Sequence, residues 1–391
     1  MTSPTSSVNV QVGLPEAFPN PMSDMSIRGP EHMKDRDLLE PMPVLPLRGS
    51  PFEIGRQHGE ALKESIAATV RVYMDLFAGL GGGAQENVRA RAIKFGHQIE
   101  QFDARYMEEI KGIAVGSGMD LRDILAINAR TEILTSLLAQ THECTAFCFA
   151  REGILAQTWD WIKRLEGKPV LLKIHHDDGH TTLTMTEPGI VGKIGLNSAG
   201  LGVGLNILSS SEMAEGVPIH ILLRSALDSK TWDEAFNRIT TSKIGTNSAI
   251  TLADDKGQSV TCEYKGQHLK IIRPTGDVLV HTNHYLDSPA LSPIPSSEPR
   301  LVRATCLITK STTRSVESAK TILADRQEGD STICMPWHDD GDAWGSMGTL
   351  CSVVMDLKHR ALHISRGHPA DYSTSSTNSP HADVIYDVHR L

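Results

Sequence analysis

Apolar positions change their spacing once along this chain. Through the first third, Ile54, Ala61, Leu62, Ile66 and Val70, and later Ile110, Ile113, Ile124 and Leu125, recur at the interval of one helix face. They predict helices over residues 51–80, 86–115 and 121–138. Gly81-Gly82-Gly83 and Gly116-Ser117-Gly118 separate them, and Asp120 with Asp123 gives the third an N-cap and first-turn charge. From Thr145 onward, short alternating or β-branched runs closed by turn residues predict antiparallel hairpins. Residues 145–150 and 154–159 flank Arg151-Glu152-Gly153, 170–175 and 181–186 flank Asp177-Asp178-Gly179, and 193–196 and 203–207 flank Ser198-Ala199-Gly200. Two helices are predicted over 218–227 and 231–239, the second opened by a Thr231-x-x-Glu234 capping box. Strands resume over 249–252, 259–264, 269–272 and 278–281, followed by helices over 301–307 and 315–323 and a hairpin over 350–356 and 361–365. Blocks of helices alternating with blocks of hairpins predict an α+β fold: two layered antiparallel sheets covered by helices.

Composition refines this outline. Residues 1–40 carry Pro, Ser, Met and Asn with little apolar period, which predicts a poorly ordered leader. Residues 41–143 then form a mainly helical segment, and 144–391 a β segment integrated with it into one domain. With 391 residues the chain buries a core without disulfides or metals. A formal charge of −9 and no basic run interleaved with aromatics argue against a nucleic-acid partner. No apolar stretch reaches the roughly 18 residues of a spanning helix, and no secretory signal opens the chain, so neither a membrane partner nor export is expected. The six cysteines, at 144, 148, 262, 306, 334 and 351, contain no CxxC pair and suit reduced thiols in the cytoplasm. The terminal His389-Arg390-Leu391 resembles a peroxisomal tripeptide, which makes the peroxisome the alternative setting.

Several candidate motifs fail on context. Gly200-Leu201-Gly202-Val203-Gly204 leads into a strand rather than a helix, so it reads as a hairpin and not as a phosphate loop. The clusters His175-His176-Asp177-Asp178-Gly179-His180 and His338-Asp339-Asp340-Gly341-Asp342 lack zinc or calcium spacing and read as solvated turns; no metal is expected. No Gly-x-Ser-x-Gly elbow is present. Among the cysteines, 148, 262, 306 and 351 lie in apolar runs and read as core. Cys144 opens the first strand after a long helix and is flanked by His142-Glu143 and Thr145, which sets it apart as a candidate nucleophile, although by position alone the core reading stays ahead.

Five stretches in order then set a family resemblance. They are Arg48-Gly49-Ser50-Pro51-Phe52-Glu53-Ile54-Gly55-Arg56-Gln57-His58-Gly59, Asn128-Ala129-Arg130-Thr131-Glu132, Gln157-Thr158-Trp159-Asp160-Trp161, Gly192-Lys193-Ile194-Gly195-Leu196-Asn197-Ser198-Ala199-Gly200 and His281-Thr282-Asn283-His284. With Cys144-Thr145 between the second and third, the chain resembles the isopenicillin N acyltransferase family, cysteine members of the N-terminal-nucleophile (Ntn) hydrolases. The resemblance implies a four-layer αββα sandwich and a precursor that cuts its own chain between Glu143 and Cys144. It implies Cys144 as nucleophile, its freed α-amine as base, Asp160 as the carboxylate that orients both, and Asn283 as an oxyanion donor. Ser248 is implied as a pocket residue, Thr145 as a neighbour of the nucleophile, and Arg130 with Glu132 as a supporting ion pair. Partners implied are a small amide or acyl thioester and the chain's own cleaved N-terminal segment. No cofactor is implied, with a coenzyme A thioester as a conceivable acyl donor. Two departures stand out: Glu143 replaces a glycine before the nucleophile, and Met335, in Thr332-Ile333-Cys334-Met335, replaces an arginine.

Overall fold

Breaks at Leu62, Asp103 and Ala129 cut the helical third into shorter pieces than its apolar period predicts. The structure, a computed structural model, describes residues 40–135, 144–212, 214–287, 294–326, 332–339, 345–365, 367–368 and 385–391. The expected leader over 1–40 lies outside these residues except for Glu40, as does Glu143. Strand β1 (Val44–Arg48), which the apolar pattern did not announce, precedes α1 (Pro51–Ala61), α2 (Lys63–Gly79), α3 (Gln85–Phe102), α4 (Ala104–Ser117), α5 (Leu121–Asn128) and α6 (Arg130–Thr135). The single helix expected over 86–115 is two, because the extended Asp103 accepts the Arg105 amide at 3.1 Å and so restarts the chain as a new N-cap. Gly116 does not break α4; Gly118, with φ +71°, ends it in the left-handed conformation.

Helices α1 and α4 touch main chain to main chain. A Cβ on Gly55 would sit 1.9 Å from the Glu109 carbonyl oxygen, and one on Gly112 would sit 2.1 Å from that of Phe52. The contact therefore has no room for a side chain at either position.

Past residue 144 the hairpins form as expected: β2 (Ala146–Phe149), β3 (Ile154–Ile162), β4 (Val170–His175), β5 (Thr181–Thr186), β6 (Ile194–Asn197) and β7 (Leu201–Ile207). Helices α7 (Ile219–Leu227) and α8 (Trp232–Thr241) follow, with Thr231 accepting the Glu234 amide as its capping pattern predicts. Then come β8 (Ser248–Asp254), β9 (Ser259–Lys265), β10 (His268–Ile272), β11 (Val278–His281), α9 (Ser297–Lys310), α10 (Val316–Leu323), β12 (His338–Asp339), β13 (Ser346–Asp356), β14 (Ala361–Ser365) and β15 (Tyr386–Arg390).

Two sheets result. One runs β1-β4-β5-β6-β7-β8-β9-β10, and the other runs β11-β2-β3-β13-β14-β15 with β12 on β13; apart from the parallel β1–β4 pair, neighbours are antiparallel. The sheets face each other through β3, β2 and β7, with α7 and α8 on the outer face of the first and α9 and α10 on that of the second. This is the four-layer αββα sandwich. Gln157 of β3 ties the layers together by donating to the Leu205 carbonyl of β7 at 2.6 Å and accepting the Leu205 amide at 2.9 Å. Among the described residues no helix is long and apolar enough to cross a membrane.

Candidate active site

Cys144 stands two residues ahead of β2, where its backbone has left the sheet ladder. Side chains take over the backbone pairing. The Cys144 amide donates to Asn283 Oδ1 at 2.8 Å, while its carbonyl accepts from Arg300 at 3.0 Å and from Asn206 Nδ2 at 2.9 Å. Arg300 also donates to Thr145 Oγ1 and to Asn283 Oδ1, both at 3.0 Å, so one buried guanidinium holds three acceptors around Cys144. The first turn of α9 explains why these groups meet. Ser297 and Arg300 lie three residues apart on one helix face, and Ser297 Oγ accepts the Asn283 amide at 2.7 Å. The Asn283 Nδ2 donates to the Ile207 carbonyl at 3.0 Å, so donation to a substrate oxygen requires that bond to be shared or released.

Cys144 is 7 % exposed. Burial, with the Asp160 charge beside it, pushes the thiol up to about 11, while the Asp160 backbone N–H, Lys193 and Arg300 act in the opposite direction. Asp160 is positioned by a β-bulge. Thr349 of β13 pairs with Asp160 of β3 and Cys351 with Trp159, which leaves Leu350 as an extra residue. The paired Thr349 hydroxyl donates to Asp160 Oδ1 at 2.6 Å and itself accepts the Met335 amide at 2.8 Å. Thr158, two residues before Asp160 and so on the same face of β3, donates to Oδ2 at 3.3 Å and accepts the Thr145 amide at 3.0 Å.

A buried charge cluster forms around Arg130 and Glu187. Arg130 pairs with Glu187, Nε to Oε1 at 3.1 Å, and stacks over Trp161 and Tyr73. The Tyr73 hydroxyl also donates to Glu187. Burial opposes the Glu187 charge, but Arg130, Lys193 and Tyr73 outweigh it and hold the carboxyl below its ordinary value. This corrects the expected Arg130–Glu132 pair. Residues two apart on a helix do not face each other, and Glu132 instead accepts the Ile219 amide at the start of α7, at 2.8 Å. Burial pushes the Glu132 carboxyl up to about 7. Ser248 begins β8 opposite Ile207, fully buried, with an Oγ that has no hydrogen-bond partner among the described residues.

The structure thus gathers Cys144, Thr145, Asp160 and Asn283 at one point, while Arg130 pairs with Glu187 and Glu132 accepts the Ile219 amide. Arg300, Asn206, Thr349 and Glu187 were not singled out in the sequence. Only Thr158 and Lys193 lie inside motifs read there, and neither was given a role. The histidine-rich turn after β4 closes on itself, His176 donating its amide to the His180 carbonyl, and no group of three or more metal-ligating side chains is found among the described residues.

Known proteins with similar sequences point to acyl chemistry. The profile of a family described as "Acyl-coenzyme A:6-aminopenicillanic acid acyl-transferase" matches residues 149–371. The "Acyl-coenzyme A:6-aminopenicillanic-acid-acyltransferase 40 kDa form" of Emericella nidulans is 31% identical over 335 residues, covering 82% of this chain and 92% of that protein. Two solved structures are similar at lower identity. Penicillin V acylase from Agrobacterium tumefaciens is 15% identical with a TM-score of 0.41, over 56% of this chain and 82% of that one. A variant of the conjugated bile acid hydrolase from Clostridium perfringens is 12% identical with a TM-score of 0.45, over 63% of this chain and 92% of that one.

Proposed function

The chain belongs to the acyl-coenzyme A:6-aminopenicillanic acid acyl-transferase family, and from that premise we propose that it is a self-processing cysteine amidohydrolase or acyltransferase working through an acyl-Cys144 thioester. The observation that carries this reading is the grip on the Cys144 main chain: Asn283 on its nitrogen, Arg300 and Asn206 on its carbonyl oxygen. Side chains that hold the backbone of one residue fix its nitrogen in space and leave its thiol for chemistry.

In the uncut chain the Cys144 sulfur attacks the Glu143 carbonyl. The peptide bond breaks as its nitrogen gains a proton, and water hydrolyses the resulting thioester. The freed α-amine, with an ordinary pKa of about 7.7 to 8.0, then serves the same thiol as base. Asp160, held by Thr349 and Thr158, orients nucleophile and amine. Asn283 offers an amide to the developing oxyanion, a contact worth roughly 2.7 to 4 kcal/mol in comparable sites.

Hydrolysis is favoured over transfer, because Met335, joined to Asp160 through Thr349, places an apolar residue where an arginine contact for a substrate carboxylate was expected. The alternative is acyl transfer from a coenzyme A thioester to a small amine. The setting consistent with this chemistry is cytoplasmic. A peroxisomal receptor reading His389-Arg390-Leu391 would have to lift it from β15, where Lys173 donates to the Arg390 carbonyl.

Intact-mass analysis tests the proposal. Wild type is expected as two polypeptides, residues 1–143 and 144–391, and Cys144→Ala as one chain of 42.6 kDa. A wild type that stays whole, and whose Cys144 is never acylated by a panel of amides and thioesters, would sink the reading. Free-acid yield that falls as an amine is added would shift it to transfer.

A further inference from the structure

Asn206 of β7, Ala249 of β8 and Glu263 of β9 stand in one row across the first sheet, since Asn206 pairs with Ala249 and Ala249 with Glu263. Paired residues share a face. Asn206 reaches the Cys144 carbonyl ahead of β2, so the row looks toward the second sheet. There His281, the last residue of β11, pairs with Ala146 of β2. Its ring reaches the row: Nε2 donates to Glu263 Oε1 at 2.9 Å, and Nδ1 lies 2.7 Å from the Thr282 carbonyl oxygen.

Glu263 Oε1 has a second donor. The Leu286 amide also donates to it, at 2.9 Å. Residues 281 and 286 are the two ends of the turn that presents Asn283, so one carboxylate oxygen closes that turn and fastens it to the opposite sheet. Between the ends, Tyr285 packs with Leu208 and with Ala249, the small residue in the middle of the row, and donates to the Tyr264 carbonyl at 2.9 Å. The Glu263 and His281 side chains are each 1 % exposed, and Glu263 Oε2 has no hydrogen-bond partner among the described residues. A carboxylate buried with one oxygen unpaired costs stability. The turn is what its other oxygen holds.

Within the turn, the Asn283 amide is held by Ser297, its Nδ2 by the Ile207 carbonyl, and its Oδ1 takes the Cys144 amide. None of these contacts reaches residue 281 or 286. We propose that Glu263 is a positioning residue: by closing the turn from 281 to 286 onto the first sheet, it sets Asn283 against the Cys144 main chain. This rests on Asn283 being the oxyanion donor proposed above. Glu263 touches no reacting atom, and its effect passes through the turn.

Amide hydrogen exchange resolved by residue, in the Cys144→Ala chain, tests this without cleavage or substrate. The amide of residue 144 reports on Asn283, because it donates to Asn283 Oδ1, and β14, beyond β13 in the second sheet, is the reference. Glu263→Leu in that background is expected to speed exchange at residues 144, 283 and 286 by roughly 10- to 100-fold and to leave β14 unchanged. Acceleration at residue 286 with 144 and 283 as before overturns the proposal. Should β14 accelerate too, the fold as a whole has loosened, and His281→Leu, which frees one end of the turn, is read by the same criterion.

In the active enzyme, Glu263→Leu is expected to lower kcat about tenfold to a hundredfold with KM within about twofold, since an oxyanion contact is made in the transition state. Added to Asn283→Ala, the same substitution is expected to change kcat by less than about twofold, because no donor is left to position. Losses that multiply overturn the proposal, since Glu263 would then act on the fold and not through Asn283. A chain that never cuts itself or turns over an amide would defeat the function proposed above, while the exchange profile still decides whether Glu263 sets Asn283.

Discussion

Cys144 and Cys148 lie one strand-length apart, both buried, with thiols pushed up to about 11 and about 12. What separates the two ends of β2 is the partner of the backbone. Around Cys148 the main chain is in the ladder, opposite Leu155 on one side and Leu279 on the other. At Cys144 the ladder has stopped, and Asn283, Arg300 and Asn206 bind the same kinds of atoms. Burial of a thiol is thus shared by a core residue and the proposed nucleophile. Side chains spent on one residue's amide and carbonyl are what mark the second.

The largest effect that could break this comparison is on the thiols themselves. Cys144→Ala is expected to lower turnover of any amide substrate by more than about a thousandfold. Cys148→Ala should leave turnover within about twofold and cost about 1 kcal/mol in a denaturant melt. Equal losses in the two variants would erase the distinction. Next is the hub, Arg300→Met, which removes one donor from each of three buried acceptors. A loss of roughly 3 kcal/mol in stability and on the order of 100-fold in kcat is expected, and a melt within error of wild type would argue that the guanidinium is ornamental.

Glu132 sharpens the comparison through its charge. Its folded value of about 7 lies above the roughly 4.3 of an unfolded chain, so between those values the native state keeps a proton that the unfolded state has lost. Stability therefore falls as pH rises through that window and levels off above it, by up to about 4 kcal/mol. In Glu132→Gln that decline should flatten, as urea midpoints across the window would reveal; an unaltered slope would assign it elsewhere. The smallest effect is expected for Thr349→Val, which keeps the shape and removes the hydroxyl on Asp160. A cost of about 1 to 3 kcal/mol and a kcat about tenfold lower, measured on the folded variant, separate positioning from packing.

The strands and turns were legible because hairpins are local: alternation, β-branched runs and turn residues all lie within a few positions of one another. Helix ends at Leu62 and Asp103 were not, since the apolar period continues across both. β1 was missed although its exposed and more buried positions alternate, because it is only five residues long and carries Pro46, which reads against a strand. At the site, Cys144, Asp160 and Asn283 came from motifs that resemble a family. Arg300 could not be anticipated that way, since 156 residues separate it from the carbonyl it binds, and it follows a Pro-rich loop with no motif of its own. The Arg130 partner was misassigned because a nearby carboxylate in sequence, Glu132, stood in for a distant one, Glu187.

The extra residue in β13 has one more consequence. Leu350 sets the phase of the strand: on its near side Thr349 meets Asp160, and on its far side the pairing resumes one position out of step. Deleting Leu350 itself would only restore an even ladder with both pairs kept, but losing a residue on either side of it would slip one arm of the strand by a position and turn that arm's side chains to the opposite face. The carboxylate beside Cys144 would then look onto whatever residue the shifted count delivered. Single-residue insertions and deletions in this strand are therefore a sharper hazard to the site than most substitutions, because the site depends on how many residues stand there as much as on which ones.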